Sequence, residues 1–277
     1  MNLPPTVIYV LSAGHSGSTL IPSIIGNHTK AFNAGEIAYL SRFLNRPGQG
    51  GEICSCGAAA VLKCPFWRSV DARLQDSGGL RGLKIGLSKG DTADDRRLFS
   101  AIAAVADASV IVDTSKNYRR LRRLMKDGEI RVLPVFLLVD PRKIVYSMRG
   151  RLGYIKYALR LNRLGLRMRK AFRVARALGL DPVVMHYDQF VENPAKTAET
   201  IVRRAGLTFE EKMLDWGRSE RHDLGGNAMK RGKDSIITKD ERWRTGMRPL
   251  EQATIIALSP IYQLVSRMLM RQKQAVD

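Results

Sequence analysis

The chain has 277 residues, 44% of them hydrophobic, enough for one large domain with a packed core and too apolar for a disordered chain. Lys and Arg number 46 against 26 Asp and Glu, a net charge of +20 that attracts anions without choosing among nucleotides, nucleic acid, acidic acceptors and anionic lipid. No apolar run reaches the ~18 residues of a membrane span, and Met1-Asn2-Leu3-Pro4-Pro5 lacks the basic and apolar regions of an export signal, so a cytoplasmic location with reduced thiols is expected.

The first element is Thr6 to Leu11, a continuous apolar, β-branched run expected as a buried parallel strand. A small, polar, Gly-rich turn follows. Thr19 to Gly26 then has helical apolar spacing, with Pro22 in the first turn, where proline is tolerated. Between about residues 48 and 96 the pattern weakens around Gly48-Gln49-Gly50-Gly51 and Gly78-Gly79, which reads as an insertion or lid within a single domain. Further buried strands are expected at Ser109 to Asp113, Val132 to Val139 and Pro182 to His186, each leading to a helical pattern. Strands alternating with helices predict an α/β fold, a P-loop-like parallel sheet flanked by helices. From residue 207 onward short helices and a basic loop precede a C-terminal helical segment interrupted at Pro260, a mostly helical end to the same domain.

The turn Gly14-His15-Ser16-Gly17-Ser18-Thr19 has the chemistry of an anion cradle. Small residues let backbone N–H groups converge on one anion, and Ser16, Ser18 and Thr19 add hydroxyl donors. Ser18 stands where a nucleoside-triphosphatase loop has its lysine, which argues against triphosphate chemistry. Taken alone, the turn is equally compatible with an ordinary strand-to-helix connection.

With its neighbours, Gly14 to Leu20 resembles the 5′-phosphosulfate loop of sulfotransferases that use 3′-phosphoadenosine-5′-phosphosulfate (PAPS), with His15 where the family has Lys or Arg, as in bacterial-type members. Gly35-Glu36 is similar to the place of the base in tyrosylprotein-sulfotransferase-like members. Asp113-Thr114-Ser115-Lys116 resembles an Asp-Ser-Ser-Lys pattern, and Asp140-Pro141-Arg142 with Ser147 resembles the 3′-phosphate strand–helix element. Tyr187-Asp188-Gln189-Phe190 looks like a Tyr-Glu-Asp-Leu segment, and Gly226-Asn227 with Lys230-Arg231 looks like a late basic loop that reaches the nucleotide.

The resemblance implies transfer of a sulfuryl group from PAPS to a hydroxyl of a carbohydrate, glycolipid or small molecule, with no metal required. It implies Glu36 as general base, Lys116 on the sulfuryl oxygens, and His15 as a donor to the sulfate or bridging oxygen. Gly14, His15, Ser16, Gly17, Ser18, Thr19, Leu20, Ser115, Arg142, Ser147, Tyr187, Asn227 and Arg231 would hold the donor. The family's Arg eight residues before the 3′-phosphate Ser is Val139 here, which leaves Arg142, Arg149 and Arg231 as candidate cations, since Arg matches phosphate as a fork. A nucleotide kinase or NTPase is the alternative reading, and a nucleic-acid-binding protein a third; neither has its motifs in order, and nucleic acid is not expected as a partner.

Two segments stand outside this scheme. Cys54, Cys56 and Cys64 supply three thiols with no histidine between them, one short of a structural zinc set, so a buried turn or a redox-sensitive pair is the expectation and no metal. Residues 155 to 178 read as a helix whose Lys156, Arg160, Arg163, Arg167, Lys170 and Arg173 form one face, set against Leu159, Leu166 and Phe172, suited to solvent, an anionic acceptor or a lipid surface.

Overall fold

The computed structural model describes residues 4–14, 19–45, 53–217, 219–226, 235 and 237–274, with the backbone alone at 149–152, 273 and 274. Its centre is a five-stranded sheet: β1 (Thr6–Leu11), β2 (Ala31–Gly35), β3 (Val110–Asp113), β4 (Val132–Leu138) and β5 (Val183–His186). The spatial order is β2-β3-β1-β4-β5, and every pairing is parallel. All five carboxyl ends therefore emerge on one edge, where ligands bind in sheets of this kind.

Four of the strands are those expected from apolar, β-branched runs, because a parallel sheet covered on both faces selects such runs. Every residue of β1, β3 and β4 is buried. Pro134 is tolerated inside β4 because pairing with β5 begins only at Val135, so one edge of the strand is free of a partner there. β2, Ala-Phe-Asn-Ala-Gly, was not expected: short and poor in strand-forming residues, it is an outer strand held by register with β3.

Helices cover both faces. The helix Leu20–Ile25 follows the Gly-rich turn with all six residues buried. In the stretch read as an insertion, the described residues reach the core: Trp67, Val70 and Leu80 are buried, and the helix Thr92–Ala106 continues from it. The C-terminal helices Pro249–Leu258 and Pro260–Gln274 meet at a 73° bend where Pro260 starts the second. Among the described residues no single helix is long and apolar enough to cross a membrane.

The helix Tyr154–Ala177 forms as expected, but its apolar side differs from the predicted one. Leu159 and Leu166 are about half exposed, at 52% and 49%. The buried line is Ala158, Leu161, Gly165, Met168, Phe172 and Ala175, alternating three and four residues apart. Small residues in that line let the helix Pro260–Gln274 approach closely: a Cβ on Gly165 would lie 2.9 Å from the Cα of Tyr262. Lys156, Arg160, Arg163, Arg167, Lys170 and Arg173 are all exposed, interleaved with the outward leucines.

Candidate active site

At the end of β2, Gly35 has φ +74°, and a Cβ there would fall 2.2 Å from the carbonyl oxygen of Leu224, so glycine is the residue that fits. Glu36 follows, its N–H donating to that same carbonyl at 2.8 Å. Gly225 closes the wall beside it: a Cβ on Gly225 would lie 3.3 Å from the Cβ of Glu36 and 2.8 Å from the ring of Phe43.

The next strand delivers Lys116. Its Nζ donates to Glu36 Oε1 at 2.8 Å, with the two side chains 18% and 22% exposed, sheltered yet open to a ligand. Lys116 has φ +56°, a left-handed backbone unusual for a residue with a Cβ. The turn is held from β1: the Tyr9 hydroxyl donates to the Asn117 carbonyl and accepts from the Asn117 N–H, both at 3.0 Å. Asn117 in turn caps the helix Tyr118–Lys126, its Oδ1 accepting from the N–H groups of Arg119 and Arg120.

Beneath this turn lies a fully buried ion network. Arg120 Nε donates to Asp113 Oδ2 at 2.9 Å and its Nη1 to Asp95 Oδ1 at 2.7 Å, with no exposed area on any of the three side chains. Burial opposes the Arg120 charge, but Asp113 and Asp95 outweigh it and raise the guanidinium pKa above its ordinary value. The other oxygen of Asp113 accepts from the N–H and hydroxyl of Ser115, whose hydroxyl also accepts from the Ala38 N–H. Ser115, buried to 3% exposure, is thus tied to the scaffold beneath Lys116.

At the Gly-rich turn, Gly14 is open: the nearest atom to a Cβ there is the Tyr157 hydroxyl, at 3.9 Å. His15, Ser16, Gly17 and Ser18 lie outside the described residues, as do Asn227 and Arg231. Thr19 precedes the helix without a side-chain cap, and the Leu20 side chain is in the core, which leaves only its backbone for a ligand.

Across β1 lies a second group. Arg142 forks onto Asp140, at 2.6 Å for the Nη2–Oδ2 contact, and its guanidinium stacks over Trp243 with 4.4 Å to the ring centroid. Lys143, only 5% exposed, places its Nζ 3.1 Å above the ring of Tyr187 at the end of β5. Burial pushes the Lys143 ammonium down to about 8, against the pull of Asp240 and Asp188. Ser147 is exposed on the helix Pro141–Leu152; the Arg149 side chain is outside the described set. Val139 is buried, and its backbone N–H and carbonyl are both bonded to the Tyr262 hydroxyl, at 3.2 and 3.0 Å.

No protein-family model and no curated protein matches the chain. Solved structures do. The sulfotransferase domain from the Synechococcus PCC 7002 olefin synthase aligns over 95% of this chain and 96% of its own, with a TM-score of 0.53 and 18% identity. The sulfotransferase domain from the curacin biosynthetic pathway aligns over 97% and 99%, with a TM-score of 0.54 and 14% identity. The chain has a sulfotransferase-family fold. Within that fold the structure pairs Glu36 with Lys116 and sets Arg142 and Tyr187 on the other side of β1. Tyr9, Lys143, Trp243 and Gly225 were missed by sequence reasoning. Lys143, next to Arg142 after a strand, and Gly225, beside Gly226, carried a local signal; Tyr9 and Trp243 are recognisable only from what they touch.

Proposed function

We propose that this protein is a sulfotransferase that moves a sulfuryl group from PAPS to a hydroxyl of a carbohydrate, glycolipid or small-molecule acceptor. The observation that carries the reading is the Glu36–Lys116 pair, 2.8 Å apart at the ends of adjacent strands, in a fold whose solved examples include sulfotransferase domains.

In this proposal the backbone N–H groups of residues 14–20 hold the 5′-phosphosulfate, with His15 donating to the sulfate or bridging oxygen and the hydroxyls of Ser16, Ser18 and Thr19 adding donors. Lys116 turns from Glu36 to the sulfuryl oxygens, where negative charge spreads as the S–O bond to the phosphate breaks. Glu36, released from the lysine, accepts the proton of the acceptor hydroxyl as its oxygen bonds to sulfur in line with the leaving group. The products are the sulfated acceptor and 3′-phosphoadenosine-5′-phosphate. Arg142, Ser147, Tyr187, Asn227 and Arg231 are assigned to the nucleotide. Arg142 is held by Asp140 and Trp243, so it would meet a 3′-phosphate through whichever N–H groups those contacts leave free. Ser115, with its hydroxyl already bonded, serves best as a support for Lys116. The exposed basic face of helix Tyr154–Ala177, with Ile155, Leu159 and Leu166 among its cations, supports an anionic acceptor or contact with a lipid surface.

The test is calorimetric titration with 3′-phosphoadenosine-5′-phosphate, ATP and duplex DNA in parallel, followed by labelled-PAPS transfer into a bacterial extract with mass spectrometry of the product. Saturable binding of the bisphosphate is expected, and Glu36→Gln should retain it while transfer falls about 10²–10⁴-fold. Binding of ATP or DNA without the bisphosphate would discard the reading. Unchanged transfer by Glu36→Gln would remove Glu36 as the base.

A further inference from the structure

The three cysteines gain in space the partner they lack in sequence. Cys54, Cys56, Cys64 and His222 each offer one ligand atom, and these atoms all lie within 4.8 Å of one another. Cys64 Sγ is 3.6 Å from Cys54 Sγ and 3.3 Å from His222 Nδ1. A tetrahedral zinc with ordinary bond lengths needs sulfur–sulfur edges of about 3.8 Å and sulfur–nitrogen edges of about 3.6 Å. These two separations lie within a few tenths of an ångström of those edges, and the remaining pairs lie within 4.8 Å.

The surroundings hold the ligands in place. Gly57, at φ +94°, turns the chain so that its N–H donates to the Cys54 carbonyl at 3.1 Å, folding Cys56 back towards Cys54. Ser55 and Asp223 bind each other twice: the Ser55 N–H donates to the Asp223 carbonyl, and the Asp223 N–H donates to the Ser55 hydroxyl. Cys64 sits at the start of the helix Pro65–Arg73, and the next two residues orient the histidine. Phe66 stacks on the His222 ring with centroids 5.4 Å apart and 10° between planes, and Trp67 Nε1 donates to the His222 carbonyl at 2.7 Å. The far nitrogen, Nε2, lies 3.3 Å from Glu220 Oε1. A carboxylate on the outer nitrogen of an imidazole, leaving the inner one as a ligand, is the usual second layer of a metal site.

We infer that Cys54, Cys56, Cys64 and His222 form a structural zinc site that ties residues 54–64 to the segment 220–226. Three thiols release their protons to solvent on binding, His222 stays neutral, and the set is closed at four ligands, with no position left for a substrate. The tied segment is the one that walls the candidate base: Cys54 bridges Leu224, and Leu224 accepts from the Glu36 N–H. The site is independent of the sulfotransferase reading, and its test uses no donor nucleotide.

The full chain, produced with zinc in the medium and purified without chelator, should carry one zinc per chain by elemental analysis. Exchange with cobalt(II) should give the intense visible bands of a tetrahedral site and a near-ultraviolet thiolate-to-cobalt band, a ligand count that needs no variant. All three thiols should resist alkylation until a chelator is added. Cys56→Ser, at the exposed ligand, should lose zinc readily and weaken the thiolate band. A protein free of zinc with no tetrahedral cobalt spectrum, or one with a Cys54–Cys64 disulfide, would overturn the inference. So would bound zinc that Cys56→Ser and His222→Ala both leave unchanged.

Discussion

Lys116 combines a left-handed backbone with an ion pair to Glu36. Its left-handed backbone costs a residue with a Cβ roughly 1–2 kcal/mol relative to an ordinary conformation, and the Asn117 clamp on Tyr9 maintains it. Replacing the side chain separates the two effects. Lys116→Ala keeps the strain and loses the contact with Glu36; Lys116→Gly loses the contact and relieves the strain. The glycine variant should therefore be the more stable of the two by about 1 kcal/mol in urea denaturation, with both inactive in transfer. Equal stabilities would mean that the turn carries no strain. In the sequence Glu36 is marked by the family resemblance alone, after the first helix, and Lys116 by the same resemblance after an expected strand. Their ion pair, across 80 residues of chain, needed the strand order, since β2 and β3 are adjacent only in the sheet.

At the scale of elements, the helix Tyr118–Lys126 is fastened to β3 by Arg120. If it goes, Asp113 loses its counter-charge and Asp95 is left with Arg123 alone, 3.1 Å away. Arg120→Met should cost about 3–5 kcal/mol of stability, read from a chemical denaturation curve. A loss below about 1 kcal/mol would mean that water reaches Asp113 and Asp95 in the native state. The helix Pro141–Leu152 and β5 are joined through Lys143 and Tyr187, and this contact predicts a pH effect. The folded chain holds Lys143 at about 8, below the ordinary lysine value of 10.5. Between those two values the unfolded chain binds more protons, so stability should rise with pH through that window. Lys143→Met, measured by urea midpoints over the same range, should lose that increment; an identical pH profile would assign the rise to other groups. Neither contact was visible beforehand. Arg120 stands in the basic run Arg119-Arg120-Leu121-Arg122-Arg123, and only the tertiary fold turns Arg120, and in part Arg123, inward.

For the whole molecule, the charge of +20 is a statement about encounter more than about fold. Association of 3′-phosphoadenosine-5′-phosphate, followed by stopped flow, should slow at least about tenfold between low and high salt, with the dissociation rate changing far less. A flat association rate would detach the basic surface from donor capture. What the sequence by itself determined were the local, periodic features: four strands, the helix that follows the Gly-rich turn, the break at Pro260 and the excess of cations. Each is set by neighbours along the chain, where apolar period and backbone geometry act directly. Tertiary structure decided the rest. It recruited Ala31–Gly35 as an outer strand despite weak propensity and turned Leu159 and Leu166 outward because small residues pack closer against Tyr262. It brought His222 to Cys64 across 158 residues. These outcomes depend on which distant surfaces meet, and no local pattern encodes the energy of a contact whose partner lies far along the chain.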